Sequence, residues 1–103
     1  MESIPPPSTP LIETPVIDFD TAVEQILCLN QEPKNEDKLI LYGLFKQSTV
    51  GDVNIDCPSM FNMTARAKWY AWNEHKGKTN DQAKVEYVAT VTRLIAEHGL
   101  KTV

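Results

Sequence analysis

No apolar stretch in this chain approaches the ~18–20 residues that a membrane-spanning helix needs. Nor does its amino terminus show a basic region leading into an apolar core. The second absence removes the pattern of a secretory signal, so a cytoplasmic location is the simplest expectation. Cysteine is scarce. Only Cys28 and Cys57 occur, in unrelated contexts and without metal-ligand spacing, which predicts two reduced thiols and no zinc centre. There is no H-E-x-x-H and no phosphate-cradling glycine loop. His75 and His98 stand at no recognisable spacing from a nucleophile or an acid. The expectation is a protein that is not an enzyme and holds neither metal nor cofactor. A dense basic patch is also missing, and a pI of about 5.0 argues against a nucleic-acid partner.

What is present is material for one domain. A chain of 103 residues, 42% hydrophobic and 23% charged, can bury a single core. Its net charge of −4 is unevenly spread. Residues 1–37 hold eight acidic side chains against one lysine, whereas residues 38–103 hold nine basic and six acidic ones. A locally basic pocket on an acidic protein suits a small anionic ligand. Residues 1–17 carry five of the seven prolines, which forbids a helix and predicts a flexible tail ahead of a domain at 18–103. Pro7 and Pro10 form a P-x-x-P spacing of the kind that docks SH3-type modules, though such spacing arises easily in so proline-rich a stretch.

Beyond the tail the apolar pattern has helical spacing and no useful period-2 alternation. Asp18 or Asp20 can cap a first helix of about 12 residues, with Phe19, Val23, Ile26 and Leu29 or Asn30 on one face and Pro33 beyond its end. Asn35 is the expected cap of a second helix, which Gly51 stops. Residues 51–62 read as a structured loop whose Val53, Ile55, Met60 and Phe61 should tuck against the domain. A third helix runs over 63–75, capped by Asn62 or Thr64 and terminated by Gly77. A fourth, capped by Thr79 or Asn80, runs to Gly99 with Tyr87, Val91 and Leu94 on one side. Four helices with short connections predict an all-α bundle.

The second helix carries side chains a plain core helix would not need. Tyr42, Phe45 and Lys46 stand at i, i+3 and i+4, so one helical face offers a phenol, a ring and a cation. Such a set suits a ligand with a flat ring and a phosphate; it also suits ordinary packing. For Trp69 and Trp72 the ordinary role is core packing.

Three ordered blocks bear on that choice: LYGLFKQSTVGDVN from Leu41, CPSMFNMTARAKWYAWNEHKGK from Cys57, and a last helix with Tyr87. Together they resemble the acyl-CoA-binding protein family over about residues 18–100. The resemblance implies an up-down-down-up four-helix bundle that binds long-chain acyl-CoA esters as a carrier without converting them. It implies that Tyr42, Lys46 and Lys68 hold the 3′-phosphate of CoA and that Phe45 stacks on adenine. Tyr87 would contact the nucleotide end, and Leu39, Met63 and Ala67 would line the acyl channel. The implied protein is a monomer with at most transient membrane contact. An adaptor that recruits a partner through the proline-rich tail is the alternative.

Several positions depart from the family pattern. Phe45 stands where a tyrosine is common, which keeps the stack and loses a hydroxyl. Leu27 and Thr64 each stand where many members have a lysine near the CoA phosphates. Each loss is expected to remove a solvent-facing ionic contact, roughly 0.2–1 kcal/mol. Cys57 and Ser59 flank Pro58 in place of an arginine and a glycine, which bears on loop shape.

Overall fold

The computed structural model describes residues 17–101. The proline-rich tail expected at 1–17, with its Pro7 and Pro10, lies outside the described residues except for Ile17. Four α-helices follow: α1, Phe19–Gln25, α2, Asn35–Thr49, α3, Met63–Asn73, and α4, Asn80–His98. Among the described residues no strand forms, and the one β-bridge joins Leu29 to Leu100.

The contacts between helices give their directions. Along α2, Leu39 shares a cavity wall with Met63 and Ala67, Gly43 abuts Ala71 and Gln47 bonds the Lys78 carbonyl. Position numbers rise together, so α2 and α3 are parallel, as the long 50–62 connection permits. Against α4 the order reverses. Asp37 pairs with Arg93, while Asn80 donates to the Ser48 and Gln47 carbonyls. The helices therefore run up, down, down, up. The core joins Ala22, Leu29, Leu41, Leu44, Ala83, Tyr87, Val91 and Leu94, with Phe19, Val23 and Ile26 packed against it.

Local chemistry accounts for the helix ends, with four corrections to the sequence reading. Asp18 caps α1 by accepting the Thr21 N–H at 2.8 Å; hydrogen bonding with the Thr21 side chain, and then with this N–H, holds its carboxyl below the usual value. The α-helix then stops at Gln25 and tightens into a 3-10 turn, Ile26–Cys28, short of the expected length. The extended Leu29 that follows buries its side chain and bridges to Leu100. Asn35 is the first residue of α2 rather than its cap; Lys34 occupies that position without a side-chain bond. α3 ends at Asn73, and turns lead through 74–77 to Gly77, whose φ of 93° suits glycine. Thr79 and Gln82 form a reciprocal capping box that starts α4.

The fourth correction concerns the 51–62 loop. Val53 is half-buried, but Ile55, Met60 and Phe61 face solvent instead of tucking in. The loop is fastened by polar bonds instead. Trp72 donates its indole N–H to the Gly51 carbonyl at 2.7 Å, and Trp69 donates to the Ile55 carbonyl at 2.8 Å. Asp52 accepts from the Gln47 amide and from the Gly77 N–H, each at 2.9 Å. Gln47 and Asp52 thus bolt the end of α2 to the turn before α4, and Gly51, from the same Leu41–Asn54 block, ties it to α3.

Candidate functional site

The buried stripe of α2 is Asp37, Leu41, Leu44 and Ser48 with Gly43 and Gln47 beside it. That leaves Leu39, Tyr42, Phe45 and Lys46 off the core, on flanks that face two cavities or α3. The first cavity, of about 590 Å³, lies between α2, the 26–33 segment and the end of the chain. Its wall includes Tyr42, Phe45 and Tyr87, with Lys38 and Lys101 as cations and Glu32 as the acid. The second, of about 420 Å³, lies between α2 and α3 and is lined by Leu39, Met63 and Ala67 with Lys68 and Thr64. Lys38 belongs to both walls.

The aromatic side of the first cavity is built by three helices. Phe45 of α2 stacks on Phe19 of α1 with centroids 6.0 Å apart and planes 20° from parallel. Tyr87 of α4 meets Phe19 edge-on at 5.1 Å and lies 6.2 Å from Phe45. Burial pushes the Tyr87 phenol above its usual pKa, so it is a neutral donor at physiological pH. Phe45 remains 37% exposed, enough to offer a ring face to a ligand.

The lysines divide. Lys68 places its ammonium 5.5 Å from the Tyr42 ring centre, spanning α3 to α2 at the join of the two cavities. Lys46 lies over Trp72 at 4.8 Å and belongs to neither wall. Tyr42, Phe45 and Tyr87 therefore stand together, Leu39, Met63, Ala67 and Lys68 stand together, and Lys46 is turned towards α3.

Two cavity cations carry no signal that the sequence reading used. Lys38 stands four residues before Tyr42, so helical spacing places it beside that ring; in the structure it is ion-paired to Glu32. Lys101 had no such signal. It reaches the cavity because its N–H donates to the Cys28 carbonyl at 2.8 Å, while the Asn30 N–H donates to the Gly99 carbonyl at 2.7 Å. This two-bond strap, with the Leu29–Leu100 bridge, forms one edge of the cavity.

The sequence profile described as "Acyl CoA binding protein" matches residues 17–91, most of the chain and all of the aromatic and cavity-lining positions except Lys101. The chain belongs to the acyl-CoA-binding protein family. It is 47% identical over 83 residues to acyl-CoA-binding protein homolog 1 of Caenorhabditis elegans, a match that covers 81% of this chain and 96% of that one. With the acyl-CoA-binding protein of Ricinus communis it shares 48% over 80 residues, covering 78% and 89% of the two chains. The crystal structure of Oryza sativa acyl-CoA-binding protein 2 superposes with a TM-score of 0.74 at 42% identity, over 77% of this chain and 86% of that one. That of the Moniliophthora perniciosa family member gives 0.72 at 35%, over 77% and 78%. The bundle is thus the fold of this family, and its half-buried and exposed α2 flank is the part that needs a functional account.

Proposed function

We propose that the protein binds long-chain acyl-CoA esters and carries them as a monomer in the cytoplasm, without chemical conversion. The observation that carries this reading is the pair of adjoining cavities, one walled by rings and cations, the other by Leu39, Met63 and Ala67 together with Asn35, Thr64 and two lysines. The nucleotide end occupies the first, with Phe45 against adenine and the Tyr42 and Tyr87 phenols donating to polar atoms. Lys68, at the join, meets a phosphate from α3, and Lys46 joins it by leaving Trp72. The acyl tail occupies the second cavity against Leu39, Met63 and Ala67. The names of the relatives, which are acyl-CoA-binding proteins, support the same ligand class.

Magnitudes assign the parts. Burying about 14 methylenes at ~0.8 kcal/mol each is worth a gross ~11 kcal/mol. Nanomolar binding needs about 12 kcal/mol after association costs are met. The tail therefore supplies much of the affinity, while the head sets orientation and ligand class. Calorimetric titration with free CoA and with palmitoyl-CoA tests this directly. The ester should bind at least a hundredfold more tightly, with no free thiol released; equal binding would overturn the assignment.

A further inference from the structure

The acid in the wall of the first cavity is out of place in a site for an anion. Among the described residues that line it, Glu32 alone carries a carboxylate, against the ammonium groups of Lys38 and Lys101. The described wall of the second cavity holds no acid. A free carboxylate beside a phosphate would repel it and weaken its binding. Glu32 is not free. Its Oε2 accepts from the Lys38 ammonium, and that bond, with the attraction of the opposite charge, holds its carboxyl below the usual value.

Chain geometry sets up this pair. Glu32 belongs to the connection between the 3-10 turn and α2, beside Pro33, which also lines the cavity. The strap bond from the Asn30 N–H to the Gly99 carbonyl anchors that connection two residues earlier. Lys38 follows Asp37, whose buried carboxylate pairs with Arg93 of α4. One residue further along a helix turns the side chain by about 100°, away from α4 and towards the cavities. Lys38 therefore stands at their join, and among the described residues it alone lines both.

The pair is easily parted. The Glu32 side chain is 75% exposed and that of Lys38 43% exposed, so their bond is worth roughly a fivefold change in an equilibrium constant at most. A phosphate brings more charge and more acceptor oxygens, and forms the stronger bond to an ammonium.

We propose that Glu32 is a placeholder for a ligand phosphate: it holds Lys38 in the empty protein and yields it when the acyl-CoA head enters. This rests on the ligand class assigned above. Lys38 exchanges its carboxylate partner for a phosphate oxygen, and Glu32 is left to water. The exchange takes place at the head, so it weakens free CoA and its esters by the same factor. An ester offsets that factor through its tail, whereas free CoA has nothing to offset it with. Glu32 thus helps to keep the product-like free head out of the site.

Calorimetry at low salt with palmitoyl-CoA and with free CoA tests the exchange. Glu32→Gln removes the competing carboxylate, so both ligands should bind about three- to tenfold more tightly, and high salt should abolish the gain. Glu36→Gln removes the same charge from an exposed residue outside both walls and should leave both affinities within about twofold. In a Lys38→Met background the gain from Glu32→Gln should shrink by about threefold, since no ion pair remains to be broken. Carboxyl NMR gives a second readout. Glu32 should titrate below its usual range in the free protein and at or above it in the complex; Lys38, Lys101, Tyr42 and Tyr87 are the titratable groups that share its wall. Equal affinities for wild type and Glu32→Gln, a gain matched by Glu36→Gln, or a Glu32 midpoint that palmitoyl-CoA does not move would overturn the proposal. A protein that binds no acyl-CoA overturns the ligand assignment and this proposal with it. One that binds the ester but fails these tests overturns this proposal alone.

Discussion

The ammonium of Lys68 lies 5.5 Å from the centre of the Tyr42 ring. The contact joins α3 to α2 where the two cavities meet. Removing this cation takes a charge-assisted partner from the ligand's phosphate, so Lys68→Ala should weaken palmitoyl-CoA binding by about 1.5–3 kcal/mol. Low-salt calorimetry measures it, and the loss should appear for free CoA as well. An unchanged affinity would confine Lys68 to the Tyr42 contact.

Lys46 gives a smaller prediction for a physical reason. Its ammonium sits 4.8 Å from the centre of the Trp72 ring, an attraction of roughly 0.5–1 kcal/mol that must be surrendered before a phosphate is reached. Lys46→Ala should therefore cost less than Lys68→Ala, about 1–2 kcal/mol in the same titration. A ligand-induced change in Trp fluorescence that disappears in Lys46→Ala would show the lysine leaving the indole.

Lys101 should tune binding through charge alone. It is exposed and held by its backbone beside Tyr42 and Phe45. Lys101→Ala should cost under about 1 kcal/mol at low salt and nothing measurable at high salt. Lys101→Glu should cost more, as the sign requires. Titrations across a salt series check both.

Gly43 marks the closest approach of α2 to α3. A Cβ there would fall 2.2 Å from the Ala71 carbonyl oxygen, a backbone atom with nowhere to move. Gly43→Ala should destabilise the fold by about 3 kcal/mol, seen as a lowered urea midpoint. Helix propensity alone would favour alanine by up to ~1 kcal/mol, so the sign of the change separates packing from propensity.

His75 predicts a pH effect. Burial is the main cause that holds its pKa below 6.5, aided by Lys78, whose ammonium lies 2.9 Å from Nδ1; Glu86 and Glu74 oppose the shift. Below pH 6.5 the unfolded chain takes up a proton that the folded one resists. The stability held above that value should therefore fall as pH drops through the folded pKa. Asp18, Glu32 and Asp52, all held below their usual values, add their own losses only at lower pH. Urea titrations between pH 7.5 and 5 should show the decline, and His75→Gln should flatten it.

Much of the architecture was legible because helix signals are local. Asp18 and Thr79, each one of two candidate caps in the sequence, and Gly51 and Gly99 announce ends that depend on nearby bonds alone. The missed boundaries are those set by distant contacts: the 3-10 turn after Gln25 exists so that Leu29 can meet Leu100, seventy-one positions away. The block from Leu41 to Asn54 shows a second limit. Its spacing puts Tyr42 and Phe45 on the cavity flank, but no spacing foretells that Gln47 and Asp52 are structural bolts, or that Lys46 rests on Trp72. Phe61 was misjudged in the opposite direction. An apolar ring in a loop was expected to pack, but Arg66, at the fourth position of α3, bonds the Pro58 carbonyl and the Tyr70 hydroxyl and leaves it outside.

The strap that joins the chain's last described residues to the 28–30 segment turns two backbone protons into reporters. The amides of Asn30 and Lys101 are each held by one bond across that strap, at one edge of the cavity. Their exchange with deuterated water measures how often that edge parts. A bound head group that bridges the strap to Tyr42 would slow both protons together while leaving amides in the middle of α4 untouched. Occupancy of the site thus has an isotopic signature at its rim, readable without modifying either protein or ligand.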